Sequence, residues 1–289
     1  MSSSSSRPPV YGGRALANDV LMVGPGAMAV AVRRSDGTIS TESEPFTAPL
    51  GWARGIPFLR GLAAVAGALV LASKSVGLER RLADDEEGGR RRQMLQMVAP
   101  AIVVTVIERV LRSIIVGRKQ PEAMKRSPGP LLMFMPLVAM RLSGFFPPGR
   151  RLLQYHAAEH MAVNAVEAGN EPTPEAASIQ SGIHPRCGTS FAVWTMILGW
   201  ALGAGRKRGL IRNVVAVASV VAVAYELLFF GARNRQEPWV KVVYGPVWQA
   251  QRLTTLPPDR EHLEVSCAAL AAVIAHGEPE PSTTPTSLA

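Results

Sequence analysis

Apolar residues in this chain gather into long blocks, and that bunching restricts the folds open to it more than any other feature. Residues 95–107 carry no charge, and the apolar pattern runs on past Glu108 and Arg109 to Val116. Residues 131–142 are apolar as far as Arg141; residues 191–204 are uncharged, and 214–231 carry one charge, Glu226. A membrane-spanning helix needs about 20 mostly apolar residues. The last two blocks reach that length with their flanks and lie close together around a short basic turn. The first reaches it if Glu108 and Arg109 face other helices or the interface. The second is short enough to be re-entrant or interfacial. Residues 59–76, rich in Ala and Gly and carrying Lys74 near their end, are a weaker fifth candidate.

Composition supports a membrane reading. Of the 289 residues, 47% are apolar and 18% charged, against roughly 25% charged in soluble domains. Such a chain is too apolar to be disordered. Cys187 and Cys267 are its only cysteines, which excludes a disulfide scaffold and suits a reducing compartment. The net charge is +9, from 31 Lys+Arg and 22 Asp+Glu. A basic balance fits either nucleic acid or an anionic membrane surface. Here the basic residues flank the apolar blocks and aromatics are only 6%, so the expected partners are membrane lipids and not nucleic acid.

Between the blocks, soluble pieces are legible. Residues 27–33 and 38–43 are β-prone and flank the turn Ser35-Asp36-Gly37, a hairpin signal. Asp259 is a candidate N-cap for a helix over 260–275. His262 and His276 stand alone and read as surface residues. The expected fold is mainly α: a polytopic membrane helix bundle with a small N-terminal β-hairpin region and a soluble helical metal-site segment. Its divisions are a disordered tail (1–10), the hairpin region (11–50), an amphipathic or re-entrant helix with a charged loop (51–92), hydrophobic helices (93–149), the metal-site segment (150–190), a transmembrane helical hairpin (191–231), a C-terminal soluble helix region (232–276) and a second disordered tail (277–289).

The polar chemistry concentrates in 150–190, which holds three of the five histidines. Residues 152–168 read as a helix. On it His156 and His160 stand at i and i+4, about 40° apart on one face, with Glu159 about 60° away on the other side of His156. His-x-x-Glu-His is the inverzincin spacing. Two neutral imidazoles suit zinc or another late divalent metal, and Glu159 is placed to act as general base on water. His184-Pro185-Arg186-Cys187-Gly188 precedes an apolar helix, so His184 or Cys187 could be the third ligand, with Glu167 a further candidate. Cys187 has two other readings, a nucleophile beside His184 or a small buried residue. Glu226, inside an apolar block, is a candidate metal ligand, proton carrier or partner of an arginine.

At these residues the chain resembles the YqhQ-like family of bacterial and plastid membrane proteins. The matching stretches are Gln154-Tyr155-His156 with Glu159-His160, Glu167-Ala168-Gly169, the run from His184 to Phe191, Tyr225-Glu226 and Gln251-Arg252-Leu253-Thr254-Thr255. The resemblance implies a membrane protein and a metal-dependent enzyme, and it adds Gln154 and Tyr155 to the candidate site. The N-terminal motif departs: the family pattern begins Gly-Gly-Gln and carries a Glu before Gly-Val, whereas this chain has Gly12-Gly13-Arg14 and then Asn18-Asp19 before Val20.

The functional expectation is a metal-dependent, zinc-type hydrolase at the membrane face. His156 and His160 bind the ion with His184 or Cys187, Glu159 activates water, and Arg186 holds an anionic group or a developing oxyanion. A lipid-linked or membrane-protein substrate suits that position. The alternative is a non-enzymatic scaffold, assembly factor or transporter component with a structural metal or polar site. The distribution of arginines favours the bacterial cytoplasmic membrane, with the site and both termini on the cytoplasmic side.

Overall fold

The computed structural model describes residues 9–15, 19–82, 102, 105–107, 109–110, 133–202 and 209–277. Most of the first apolar block, the acidic and arginine-rich loop, the basic turn at 203–208 and most of both tails lie outside these residues.

The N-terminal region is a four-stranded antiparallel meander: β1 (Gly12–Ala15), β2 (Asp19–Val23), β3 (Ala27–Arg33) and β4 (Ile39–Pro45), in the order β1-β2-β3-β4. The expected hairpin is its β3–β4 half, with Arg33 paired to Ile39. Gly37 takes φ +87°, and Asp36 Oδ1 accepts from the Thr38 N–H at 2.9 Å, so the turn residues act as their types predict. The other two strands extend the hairpin into a sheet. Alternation sends Val20, Met22, Ala27, Ala29 and Ala31 to one face and Leu21, Met28 and Val30 to the other, and all of them are buried. Both faces are therefore covered, and each large side chain so buried contributes about 2 kcal/mol.

Helix α1 (Leu59–Leu82) covers the second face through Leu71, Leu78 and Leu82. The first face packs on α3 (Pro147–Glu167) and on the C-terminal helix α8 (Arg260–Gly277). Between them lie α2 (Met135–Ser143), α4 (Pro174–Ser178), α5 (Gly188–Ala201), α6 (Leu210–Arg233) and α7 (Pro238–Gln249). A small third core joins α2, α5 and α7 through Leu137, Val193 and Val247.

α3 starts five residues earlier than the periodicity predicts, because Pro147 and Pro148 supply the helical φ of its first turn without needing donors. Gly149 lets that turn touch α2: a Cβ there would lie 2.2 Å from the Ser143 carbonyl oxygen. His262, expected at the surface, is buried edge-on against the Tyr155 ring, with centroids 4.6 Å apart. Burial holds its pKa below the usual value.

Among the described residues, α1 and α6 are long and apolar enough to cross a membrane. They differ in packing. The second half of α1 lies on the sheet, whereas the start of α6 leaves Leu210, Ile211, Val214, Val215 and Val217 each more than half exposed. α5 packs against α6. Its 14 residues are about 21 Å long, shorter than the span expected for that block. Where α1 meets α6, Gly61 sits against Tyr225, and the Arg60 guanidinium pairs with Glu226, which also accepts from the Phe58 N–H at 2.8 Å. Of the roles open to Glu226, the arrangement corresponds to partner of an arginine.

Candidate metal centre

His156 and His160 lie on the face of α3 that looks toward β1 and the loop entering α5. Each imidazole is oriented by a backbone carbonyl. His156 Nδ1–H donates to the Thr254 oxygen at 2.8 Å, and His160 Nδ1–H to the Gly182 oxygen at 2.7 Å. Both Nε2 lone pairs are thereby left for a ligand, the arrangement that a histidine–metal bond requires. Asn164, one turn further along α3, donates to the Ser181 and Ile183 carbonyls at 2.7 and 3.1 Å and so holds the loop that presents Gly182.

The third side chain that could hold an ion with them is Cys187. His184-Pro185-Arg186-Cys187 closes a turn in which the Cys187 N–H donates to the His184 oxygen at 3.1 Å. Cys187 then caps α5, its Sγ accepting from the Thr189 N–H at 3.3 Å. Sγ lies 3.3 Å from His156 Nε2, and the ligand atoms of His156, His160 and Cys187 all fall within 4.8 Å of one another. Tetrahedral ligands with Zn–N near 2.0 Å and Zn–S near 2.3 Å stand roughly 3.5 Å apart, so a zinc-sized ion fits among them with small shifts. Burial alone would raise the Cys187 thiol, but the two imidazoles hold it well below its usual value, and the helix start favours the thiolate further. Burial likewise opposes protonation of His160, yet the sulfur and Glu159 beside it raise its pKa to about 9. A thiolate between two imidazoles is a soft-plus-imidazole donor set of the kind zinc takes.

Glu159 is buried on the same face, with Oε2 4.0 Å from His160 Nε2. β1 closes over it at Gly13, where a Cβ would lie 2.5 Å from the Leu21 oxygen and 3.0 Å from Glu159 Cγ. In front of these groups is a cavity of about 470 Å³, whose lining includes Tyr11–Ala15 and the apolar side chains of Met140, Leu152, Leu153 and Val163.

The remaining sequence candidates stand outside the three-residue cluster. His184 lines the same cavity, but its ring nitrogens face Glu167 (3.3 Å) and the Arg186 N–H (3.4 Å), and its ring centre is 5.9 Å from that of His160. Glu167 also pairs with the guanidiniums of Arg186 and of Arg235, the latter at 3.1 Å. Gln154 donates to Pro257 and Asp259, tying α3 to the loop before α8. Tyr155 belongs to the core. Arg14 turns toward α1, reaching Ser75 and Glu79 at 3.3 and 3.4 Å. Asp19 is buried beside that group; burial, then Glu79, push its carboxyl up to about 7 against the pull of Arg14. The altered N-terminal motif thus supplies a polar contact between sheet and helix.

Gln251 and Thr254 contribute in a way that residue chemistry did not indicate. Fully buried Gln251 accepts from the His184 N–H and donates to the His184 oxygen and to Ser190 Oγ, fixing the turn that carries Cys187. The matching run Gln251–Thr255 was the available signal.

Glu167 offers a pH test. Burial would raise its carboxyl, but His184 and Arg186 lower it from 4.5 to about 2. A depressed folded pKa gives stability that is complete above about pH 4.5 and lost as pH falls through about 2. The stability gap between wild type and Glu167→Gln is therefore expected to close progressively over that window, as followed by denaturant unfolding at stepped pH.

Residues 56–276 match the model of the family described as "Protein of unknown function (DUF1385)". The chain belongs to this family. It is also 29% identical over 290 residues to "Uncharacterized protein YqhQ" of Bacillus subtilis (strain 168), with 90% of each chain covered. No solved structure matches it. The family match contains every member of the donor set, together with Glu159, Glu167, Arg186 and Gln251, and begins after the sheet.

Proposed function

We propose that this protein is a membrane-associated, metal-dependent hydrolase, with His156, His160 and Cys187 as ligands of a zinc-type ion and Glu159 as general base. The observation that carries this reading is a set of three protein donors on the wall of a cavity, with a carboxylate beside them. Catalytic zinc sites keep three protein ligands and an open position, whereas structural sites are closed by four. A scaffold with a structural metal would need a fourth protein donor, and among the described residues the cluster has three.

The ion would supply Lewis acidity and make water acidic enough to ionise near neutral pH. Glu159 takes the proton. The Thr254 and Gly182 carbonyls hold the imidazoles in the ligating tautomer, and the Thr189 N–H steadies the sulfur. Arg186, held by Glu167, stands on the cavity wall to receive a developing oxyanion. In the cobalt-substituted protein, acetohydroxamate is expected to change the visible absorption by entering the open position. An unchanged spectrum would mean a closed, structural site.

The site sits at the foot of the α5–α6 hairpin: Cys187 caps α5, and Arg235, two residues past α6, binds Glu167. The exposed apolar start of α6 lies at the other end. A hairpin inserted from that end would put the cavity at the membrane face, and the balance of basic residues over the whole chain, not the hairpin alone, supports the cytoplasmic side of a bacterial inner membrane. The chain is expected to stay with membranes during alkaline carbonate extraction; release into the supernatant would remove the membrane part of the reading.

A further inference from the structure

We infer that the substrate of this centre is an extended polypeptide segment that pairs with the outer edge of β1 as a fifth strand of the sheet. The inference rests on the hydrolase reading above and names the substrate class of the same site.

The first observation is topological. β1 is a terminal strand, paired with β2 on one side only, and all four of its residues line the metal cavity. Among the described residues, no backbone group pairs with the outer edge of Gly12–Ala15. An edge strand directs the N–H and C=O of alternate residues outward, a ready template for another extended chain. Proteins that bind peptides this way take affinity from those main-chain bonds and specificity from pockets for alternate side chains.

The second observation is composition. β1 reads Gly-Gly-Arg-Ala, with exposed Gly13 at the position nearest Glu159. A Cβ built at Gly12 meets nothing within 4 Å, so the face of the sheet is open beside that residue, and next to the strand the Arg186 guanidinium reaches the Tyr11 oxygen at 3.5 Å. The Arg14 guanidinium is drawn off toward α1 and leaves the edge clear.

The third is the relation of the edge to the chemistry. α3 packs directly on β1 and carries His156, Glu159 and His160 on that side. A peptide on the β1 edge therefore runs past the donor set with its amides in the plane of the sheet. Alternate side chains would turn toward Met140, Leu152, Leu153 and Val163, which favours apolar residues. In the reaction, Glu159 takes one proton from water, the resulting hydroxide adds to the amide carbon, and the C–N bond breaks. The proton passes to the leaving nitrogen, giving a carboxylic acid and an amine, which exchange one proton to become carboxylate and ammonium with no other reactant.

Three hydroxamates test this on the full-length, zinc-loaded protein in mild detergent, with binding read by calorimetry. They are acetohydroxamate, a Leu-Ala-Leu tripeptide hydroxamate and a ten-carbon acyl hydroxamate. The tripeptide compound is expected to bind at least about tenfold tighter than acetohydroxamate. N-methylation of its amides one at a time should cost about tenfold at alternate positions and little between them, the value of roughly one hydrogen bond. Because only the ligand is altered, folding of the protein does not enter. Failure of all three compounds to bind would overturn the open-metal reading itself. Binding of acetohydroxamate with no gain for the tripeptide, or equal sensitivity at every amide, would keep that reading and overturn strand pairing. A tighter acyl than peptide compound would assign the cavity to a lipid and overturn the inference.

Discussion

Purified in mild detergent, the wild type is expected to carry about one metal ion per chain and Cys187→Ser to lose it. Three features single out this residue. Its sulfur is the softest donor in the cluster, it lies against His156 Nε2, and it is fixed twice, by the α5 N–H at Thr189 and by the turn that Gln251 clamps. Disturbing an outer-shell partner of a metal ligand costs roughly 10–100-fold in affinity, so removal of the thiolate is expected to exceed about 100-fold. His156→Ala and His160→Ala should behave alike. His184→Ala should keep its metal, because the His184 ring faces Glu167 and the Arg186 N–H. Elemental analysis of the four variants separates the assignments: retention by Cys187→Ser together with loss by His184→Ala would transfer the third ligand to the histidine.

The helical pair was readable because it depends only on the 3.6-residue period and on residue types. His156, Glu159 and His160 share a face in any helix, and α3 is a helix. The choice between His184 and Cys187 was not readable. It turns on the path of one loop, and that path is set by Gln251, 64 residues after Cys187. The groups that orient the imidazoles are backbone oxygens of Thr254 and Gly182, and a carbonyl leaves no trace in residue identity. In the sheet, the Asp-Gly turn announced β3 and β4. β1 and β2 are four and five residues long, the first begins with two glycines, and the second begins with a buried Asp19, so neither carries the alternation of a half-buried strand. The burial of β2 on both faces comes from α1 on one side and α3 with α8 on the other, long-range packing that local pattern does not encode. The apolar blocks at 191–204 and 214–231 did foretell two helices that pack on one another, α5 and α6, although α5 stops at 14 residues.

Glu159→Gln separates chemistry from structure. The side chain keeps its size, its place under Gly13 and its capacity to hydrogen-bond, but an amide cannot take the proton of water. Glu159 is outside the donor set, whose ligand atoms belong to His156, His160 and Cys187, so the variant is expected to bind metal like the wild type. Loss of a positioned general base costs typically 10²–10⁴-fold in rate, enough to leave the variant unable to complement a strain lacking the gene while its level and thermal unfolding stay near normal. His160→Ala should fail in both respects, losing metal as well as function. A structural site gives the opposite pattern. If the ion only cross-links α3 to the start of α5, its ligands matter and the neighbouring carboxylate does not, because a neutral isostere preserves the packing against β1. Full complementation by Glu159→Gln with metal still bound would therefore end the case for hydrolysis and leave a metal-stapled membrane protein.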